Sequence, residues 1–481
     1  MTMRILSKQV ILLFLAAISF LSVRNGGLTF YISPSSAPTL LSGRSTIGPE
    51  KHGNEPIKIA YAASFIECDI NNFRTSSFID ASLVLRHSIH NISSRNPNSG
   101  SKYDYKMYAL VHGTDAITCK ETIESLGFEV LIVDPPFQVN DIQDDFVRRE
   151  IHKAWCCGHE EFIKLHAYNL TEELFVHIDL DFVFHKPMDH LFDAMLYDKD
   201  SMEGITARKK IEQELQLPQK PNGSSDLPDD IRGFFTRDWG QVAPNRGWKS
   251  GYQAGFLVAK RDPTMIPDVS KMVLTTNYTD GFSRHNGWGG LGYARYIVGA
   301  MGMQGVMAYV YDIIRPNTMV ELNACLYNHL GMDSRYTDGG PWYNSNSDVS
   351  GKCRDDRNGL DTCEQCKFTP LESIYNIHYS PCGKPWHCVT EAKEHQSGNH
   401  IHAGTCDIDH CLGLQSVWHK VRLDLEMKLL SATENKTAVE QLVNGNYRQE
   451  VFFGHCREEQ GYINLLEFSD VIARVSNDFY T

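Results

Sequence analysis

Apolar positions along the chain fall into short runs separated by polar, turn-forming stretches, and their spacing alternates between that of strands and that of helices. Lys58-Ile-Ala-Tyr-Ala-Ala63 reads as a first strand, and Ala81 to His90 as a helix. Tyr105 to Val111 and Phe128 to Asp134 read as two more strands. A helix through Phe162 to Leu170 then leads into the run Leu174-Phe-Val-His-Ile-Asp179. This alternation predicts an α/β domain with a mainly parallel sheet. In open sheets of this kind ligands bind at the carboxyl ends of the strands, and Asp179 stands at such an end. Pro221 to Pro244 and Asp333 to Cys366 have the composition of long surface loops. Val417, Val421, Leu425 and Leu429 recur every fourth residue, so a packed helix is expected there. The chain shows neither an internal repeat nor a coiled-coil pattern.

Charge and the chain's early segment narrow the class. The chain has 481 residues and a net charge of −13, with no basic stripe of the kind that phosphate-backbone binding needs, so nucleic acid is not an expected partner. Arg4 and Lys8 precede an apolar run from Val10 to Val23, which is expected to act as an uncleaved signal anchor in preference to a cleaved signal peptide. The expected organisation is a cytoplasmic tail and anchor over 1–32 and a flexible stem over 33–55. A catalytic domain over 56–390 and a disulfide-bearing helical extension over 391–481 follow. Sequons at Asn91, Asn169, Asn222, Asn277 and Asn435 fit a lumenal glycoprotein.

Cysteines point the same way. Of 13 in the chain, Cys353, Cys363, Cys366, Cys382, Cys388, Cys406 and Cys411 crowd one stretch. Cys363-Glu-Gln-Cys366 is a possible zinc half-site, but no matching pair repeats its spacing, so disulfides are the favoured reading.

The chemistry is carried by paired carboxylates. Three Asp-x-Asp pairs occur: Asp179/Asp181, Asp198/Asp200 and Asp407/Asp409. Only the first follows an apolar strand, where two buried carboxylates are costly unless a cation sits beside them. A hard divalent cation there would neutralise a departing nucleotide diphosphate. The other two pairs read as solvated turns.

Around that pair the sequence resembles the glycogenin-like glycosyltransferase family 8. The resemblance rests on Phe162-Ile-Lys164-Leu-His166-Ala-Tyr168, Phe175 to Asp181, Met188-Asp-His-Leu-Phe192 and Ile377-His378-Tyr-Ser-Pro-Cys-Gly-Lys384-Pro-Trp386. It implies a GT-A-like, Rossmann-type nucleotide-sugar-binding domain with a mixed, mainly parallel sheet. It also implies Asp179, Asp181 and His378 as ligands for Mn2+ or Mg2+, Lys384 on the donor diphosphate and Lys164 near the donor sugar or phosphate. Gly251-Tyr-Gln253-Ala254-Gly255 is similar to the family's sugar-contacting strand, with Gln in place of Asn. Met303-Gln304-Gly305 is similar to its Asp-Gln-Gly block, with Met303 in place of the acid. Donor-binding residues are accordingly expected to be Lys164, Asp179, Leu180, Asp181, Gln253, Ala254, Gly255, Gln304 and Lys384. No catalytic nucleophile is identified; Gln253 and Gln304 are the candidates.

Asn286-Gly-Trp288-Gly-Gly-Leu-Gly-Tyr293 lacks the preceding strand of a dinucleotide fingerprint and is expected to be a loop near the acceptor. Trp239, Trp248, Trp288 and Trp342 suit stacking on sugars, with core packing an equal alternative for each.

The expected function is therefore metal-dependent transfer of a hexose from a nucleotide sugar, UDP-linked on the resemblance and with retained configuration, to a glycan or glycoprotein acceptor. The expected setting is a single-pass type II protein of the Golgi membrane with a lumenal catalytic part, or an endoplasmic-reticulum lumenal or secreted protein if the N-terminal segment is cleaved. The alternatives are a non-catalytic relative that regulates lumenal enzymes, and a two-metal phosphohydrolase.

Overall fold

The computed structural model describes residues 55–66, 73–113, 116–153, 158–215, 226–237, 251–281, 285–292, 300–331, 366, 369–393, 401–402, 407–431, 447–458 and 461–465. All lie in one compact unit, Gly48–Thr481. The apolar run Val10 to Val23, the stem as far as residue 54 and the sequons at Asn222 and Asn435 fall outside the described residues. No helix among the described residues is long and apolar enough to cross a membrane.

In chain order the elements that build the site are β1 (Lys58–Phe65), α1 (Phe73–Asn91), β2 (Asp104–His112), α2 (Ala116–Ser125) and β3 (Glu129–Val133). There follow α3 (Asp145–Glu150), a 3-10 helix over Gly158–Asn169, β4 (Leu174–Ile178), β5 (Phe182–Phe184), α4 (Asp189–Leu196) and α5 (Met202–Glu214). Next come β6 (Gly233–Arg237), β7 (Tyr252–Lys260), α6 (Met265–Thr275), the short pair β8 (Tyr278–Thr279) and β9 (Gly287–Trp288), and α7 (Met303–Tyr309). The last are β10 (Met319–Glu321), β11 (Asn376–His378) and α8 (Ile408–Ser431).

Seven strands form one sheet in the order β10-β6-β7-β4-β1-β2-β3. β4, β1, β2 and β3 pair in parallel, as do β10 and β6. β7 pairs antiparallel with both β4 and β6, so it alone runs against the rest. The sheet is mixed and mainly parallel, as the strand-helix alternation predicts. Because side chains alternate across a strand, Ile59, Tyr61 and Ala63 of β1 enter one core while Ala60 and Ala62 enter the other. Covering both faces explains why these strands read as apolar runs without polar alternation.

Three elements differ from expectation. β6 (Gly233–Arg237) lies inside Pro221 to Pro244, expected as a long surface loop, and is instead a buried strand between β10 and β7, with Phe234 in one core and Phe235 in the other. α1 begins at Phe73, well before Ala81, because its polar side has partners from the far end of the chain. Asp80 pairs with Arg422 of α8 at 3.3 Å and accepts from the Tyr462 hydroxyl at 2.5 Å, and His87 meets Asp424 at 2.7 Å. The segment expected as a helix over 162–170 is a 3-10 helix from Gly158, a tighter coil that stacks residues three apart above one another.

Disulfides join Cys325 to Cys366, Cys382 to Cys411 and Cys388 to Cys456. Cys366 is thus bonded to a cysteine outside the crowded stretch, which removes it from a zinc half-site with Cys363. The last two bridges tie α8 and the chain beyond it to the segment that carries His378. Cys353, Cys363 and Cys406 lie outside the described residues.

Several buried histidines are neutral in the folded state. Burial lowers His177 and His329 to about 3, with Lys164 and His410 respectively adding to the effect. Burial, reinforced by His87, lowers His90 to about 4. Above pH 6.5 the unfolded imidazoles are neutral too and this stability is fully present. Below it the unfolded chain takes up protons that the folded chain refuses, so stability is lost as pH falls from 6.5 towards 3. Asp80, raised to about 6 by burial against the pull of Arg422, opposes the trend with one proton. The thermal unfolding midpoint is expected to drop between pH 7 and pH 5; a flat or rising midpoint would contradict this account.

Candidate functional site

The site is assembled where β4 ends and β7 begins. Asp179 directly follows β4, and its N–H donates to the Gly255 carbonyl at 3.1 Å. Leu180 packs against the main core and turns the chain, so that Asp181 stands immediately before β5. β11 pairs antiparallel with β5, His378 opposite Phe182, and the Tyr379 N–H donates to the Asp181 carbonyl at 2.9 Å. This short pairing, remote in sequence, carries the imidazole to the two carboxylates.

One ligand atom from each of Asp179, Asp181 and His378 lies within 4.8 Å of the others. The imidazole is oriented from behind. The His378 Nδ1 donates to the Asn328 Oδ1 at 3.0 Å, and the Asn328 amide nitrogen donates to the Thr236 hydroxyl at 2.7 Å. With Nδ1 engaged there, Nε2 is the ring nitrogen that faces Asp181 Oδ2, 3.4 Å away. Three electron-pair donors that face one point repel one another unless a cation lies between them. Two carboxylates and an imidazole held by a hydrogen bond on its other nitrogen fit Mn2+ or Mg2+.

Two lysines flank the cluster. Buried Lys164 donates to Asp179 Oδ1 at 3.1 Å, to Glu161 Oε1 at 3.1 Å and to the Ala254 carbonyl at 3.4 Å. Half-exposed Lys384 donates to Asp181 Oδ2. Burial alone would raise both carboxyls. Lys164 and His378 nevertheless hold Asp179 below the usual carboxylate range, and Lys384 and His378 hold Asp181 well below it. Burial works against the Lys164 ammonium, but Asp179 and Glu161 raise it far above the ordinary lysine value.

Gly255 is where the backbone comes closest. A Cβ there would lie 2.7 Å from Asp179 Oδ2, 2.8 Å from His378 Cε1 and 2.9 Å from Gln253 Oε1. Only a glycine leaves room for the ligand oxygens. Gln253 Oε1 accepts from the Gly255 N–H at 2.6 Å. Beside it a cleft is lined by Lys164, Tyr252, Gln253, Ala254, Met303 and Met307 among others. Gln304, in the first turn of α7, is buried behind this wall, where a Cβ on Gly251 would lie 3.2 Å from Gln304 Cβ.

The structure thus gathers Lys164, Asp179, Leu180, Asp181, Gln253, Ala254, Gly255, His378 and Lys384 at one edge of the sheet, with Gln304 set behind the cleft. Asn328 and Glu161 were not legible as parts of it. Nothing in the sequence marks Asn328, whereas Glu161 stands three residues before Lys164, a spacing that places the two side by side in the 3-10 coil. The other two acidic pairs serve the backbone: Asp198 Oδ1 accepts from the Asp200 N–H and Asp407 Oδ1 from the His410 N–H, both at 2.9 Å. Trp288 is fully buried and donates to the Ala300 carbonyl at 2.7 Å, so it is a core residue and offers no face to a sugar. Trp239, Trp248 and Trp342 lie outside the described residues.

No family model matches the chain, and no curated protein does. Solved structures do. Mouse xyloside xylosyltransferase 1 in its apo form aligns with 67% of this chain and 97% of its own, at 10% identity and a TM-score of 0.33. The galactosyltransferase LgtC, in complex with donor and acceptor sugar analogs, aligns over 75% of this chain and 96% of its own, at 11% identity and a TM-score of 0.31. The apo-form glycosyltransferase GlyE of Streptococcus pneumoniae covers 76% of this chain and 60% of its own, at 11% identity and a TM-score of 0.35.

Proposed function

We propose that the chain is a divalent-metal-dependent glycosyltransferase that moves a hexose from a UDP-sugar to a glycan or glycoprotein acceptor, in the manner of glycogenin-like family 8. The observation that carries this reading is the convergence of Asp179, Asp181 and His378 within 4.8 Å at the carboxyl edge of the sheet, with the His378 Nε2 facing the carboxylates. A bound Mn2+ or Mg2+ would supply Lewis-acid neutralisation of the leaving diphosphate.

The chain's own residues do the rest. Asp179 and Asp181 present carboxylate oxygens, and Asn328 holds the His378 ring so that Nε2 faces them. Lys384, half exposed, exchanges Asp181 for a diphosphate oxygen as the donor enters, adding an ammonium to the charge that must be stabilised on departure. Lys164 and Gln253 line the cleft where the sugar lies and fix its orientation, which is the larger part of what a transferase without a covalent intermediate must provide. Gln253 keeps its carbonyl on the Gly255 N–H, so its amide nitrogen is the end offered to the sugar. A front-side reaction with retention needs no protein nucleophile. Three disulfides among the described residues support a lumenal, Golgi-type setting for this reaction, since such bonds persist in oxidising compartments.

Met303 in place of a carboxylate favours a second reading, a non-catalytic binder of nucleotide sugars. The two are separated by incubating the protein with UDP-glucose, UDP-galactose and UDP-xylose, with Mn2+ or with EDTA. Release of UDP from one donor in Mn2+, absent in EDTA, is the result expected of the transferase. Tight Mn2+-dependent UDP binding with no release from any donor, even with glycan acceptors added, would establish the binder instead.

A further inference from the structure

Lys164 poses a problem for metal binding that the structure itself answers. Its ammonium is buried, 8% exposed, and fixed 3.1 Å from Asp179 Oδ1, on a carboxylate that must also bind a cation. Lys384 can leave Asp181, because its side chain is 30% exposed. Lys164 has no such route. It is held from three sides, by Asp179, by the Ala254 carbonyl and by Glu161. A divalent ion and an ammonium sharing one carboxylate repel each other, and in a buried site water screens that repulsion weakly.

Glu161 is the group that changes this balance. The 3-10 coil places residues three apart one above the other, so Glu161 sits directly over Lys164, with its Oε1 3.1 Å from the Lys164 Nζ. Its other oxygen, Oε2, accepts the Met303 N–H at 3.2 Å, where α7 begins. The side chain is 12% exposed and points away from water at both ends. Around the site, three carboxylates, Asp179, Asp181 and Glu161, face two ammonium groups, so a net negative charge greets the ion. Without Glu161 the local charge would be zero, and Lys164 would have Asp179 as its only carboxylate partner among the hydrogen bonds described for its Nζ.

We propose that Glu161 is a positioning residue that takes up the charge of Lys164 and so releases Asp179 to bind a divalent cation, setting the metal affinity of the site from outside the ligand set. The inference rests on the metal-dependent reading above. Glu161 also links the metal centre, through Lys164, to the Met303–Gln304 corner of the cleft, so ion binding and the placement of that corner share one side chain.

The test reads metal binding and needs no turnover. Mn2+ is titrated into the protein, alone and with UDP present, and free Mn2+ is followed by electron paramagnetic resonance; variants are compared in the condition where the unaltered protein binds. Glu161→Gln keeps one oxygen, enough for the Met303 N–H, and removes the charge together with the acceptor that faced the Lys164 ammonium. It is expected to weaken Mn2+ binding about 10- to 100-fold. Adding Lys164→Gln removes the competing ammonium and is expected to restore most of the loss, a recovery that a merely structural role for Glu161 would not give. Lys164→Gln alone, which leaves Glu161 in place, is expected to bind Mn2+ at least as tightly as the unaltered protein. Unchanged affinity in Glu161→Gln, no recovery in the double variant, or weaker binding in Lys164→Gln would each overturn the proposal while leaving the transferase reading intact. Absence of Mn2+ binding by the unaltered protein in both conditions would overturn the transferase reading and this inference with it.

Discussion

Asp181→Asn is expected to abolish Mn2+-dependent release of UDP from the donor while leaving the protein folded. The substitution keeps the shape of the side chain and removes one of two carboxylates from the Asp179–Asp181–His378 cluster. A metal acting as Lewis acid contributes several kcal/mol of charge stabilisation in the transition state. Since each 1.36 kcal/mol is a factor of ten, the loss should reach about a thousandfold or more. The fold should survive, because the link from β5 to β11 uses the Asp181 backbone carbonyl and not its carboxylate. Donor turnover and circular dichroism measured on one preparation check both halves. Turnover within tenfold of the unaltered protein would remove Asp181 from the ligand set.

The second large effect concerns stability. Arg422 on α8 is fully buried and pairs with Asp80 of α1 at 3.3 Å and with Glu426 at 2.9 Å, while its guanidinium lies 4.7 Å over the Tyr462 ring. Glu426 in turn meets the buried His455 at 2.9 Å. Replacing Arg422 with Met leaves two buried carboxylates without their shared cation, and such losses cost about 3–5 kcal/mol. Urea unfolding of Arg422→Met should show that loss. The triple change Asp80→Asn, Arg422→Met and Glu426→Gln should recover much of it, because it removes the stranded charges along with their partner. If the triple variant is no more stable than the single one, the arginine acts through packing and the charge account fails.

How much of this was legible in the sequence follows from how local each cause is. β1, β2 and β4 could be read because both of their faces are buried, which writes an apolar run into the chain. Asp179 and Asp181 could be read because their strand ends there. The early start of α1 could not be read: Asp80 looks like a poor helix-interior residue until Arg422 and Tyr462, both distant in sequence, are placed against it. The 3-10 coil over Gly158–Asn169 has the same apolar residues that an α-helix would have, and periodicity over so few turns does not separate the two. Glu161 gains its meaning only from that coil. Asn328 orients His378 through a contact between a loop and β11, and no residue pattern announces such a contact. The partner of Cys366 lay outside the crowded stretch for the same reason.

The pairing of β5 with β11 also fixes an order of events when the chain is made. β4 is synthesised long before β7, and until residue 260 has emerged the outer edge of β4 lacks its antiparallel neighbour. Both aspartates are by then in place, yet the strand bearing His378 is still more than a hundred residues from synthesis. Contacts between such distant segments form late and slowly. The nascent chain therefore carries the two carboxylates without the imidazole, and His378 arrives on the segment that the last two disulfides tie down. On the metal-dependent reading proposed above, an ion would be held only by a nearly finished molecule and would report completion of the fold.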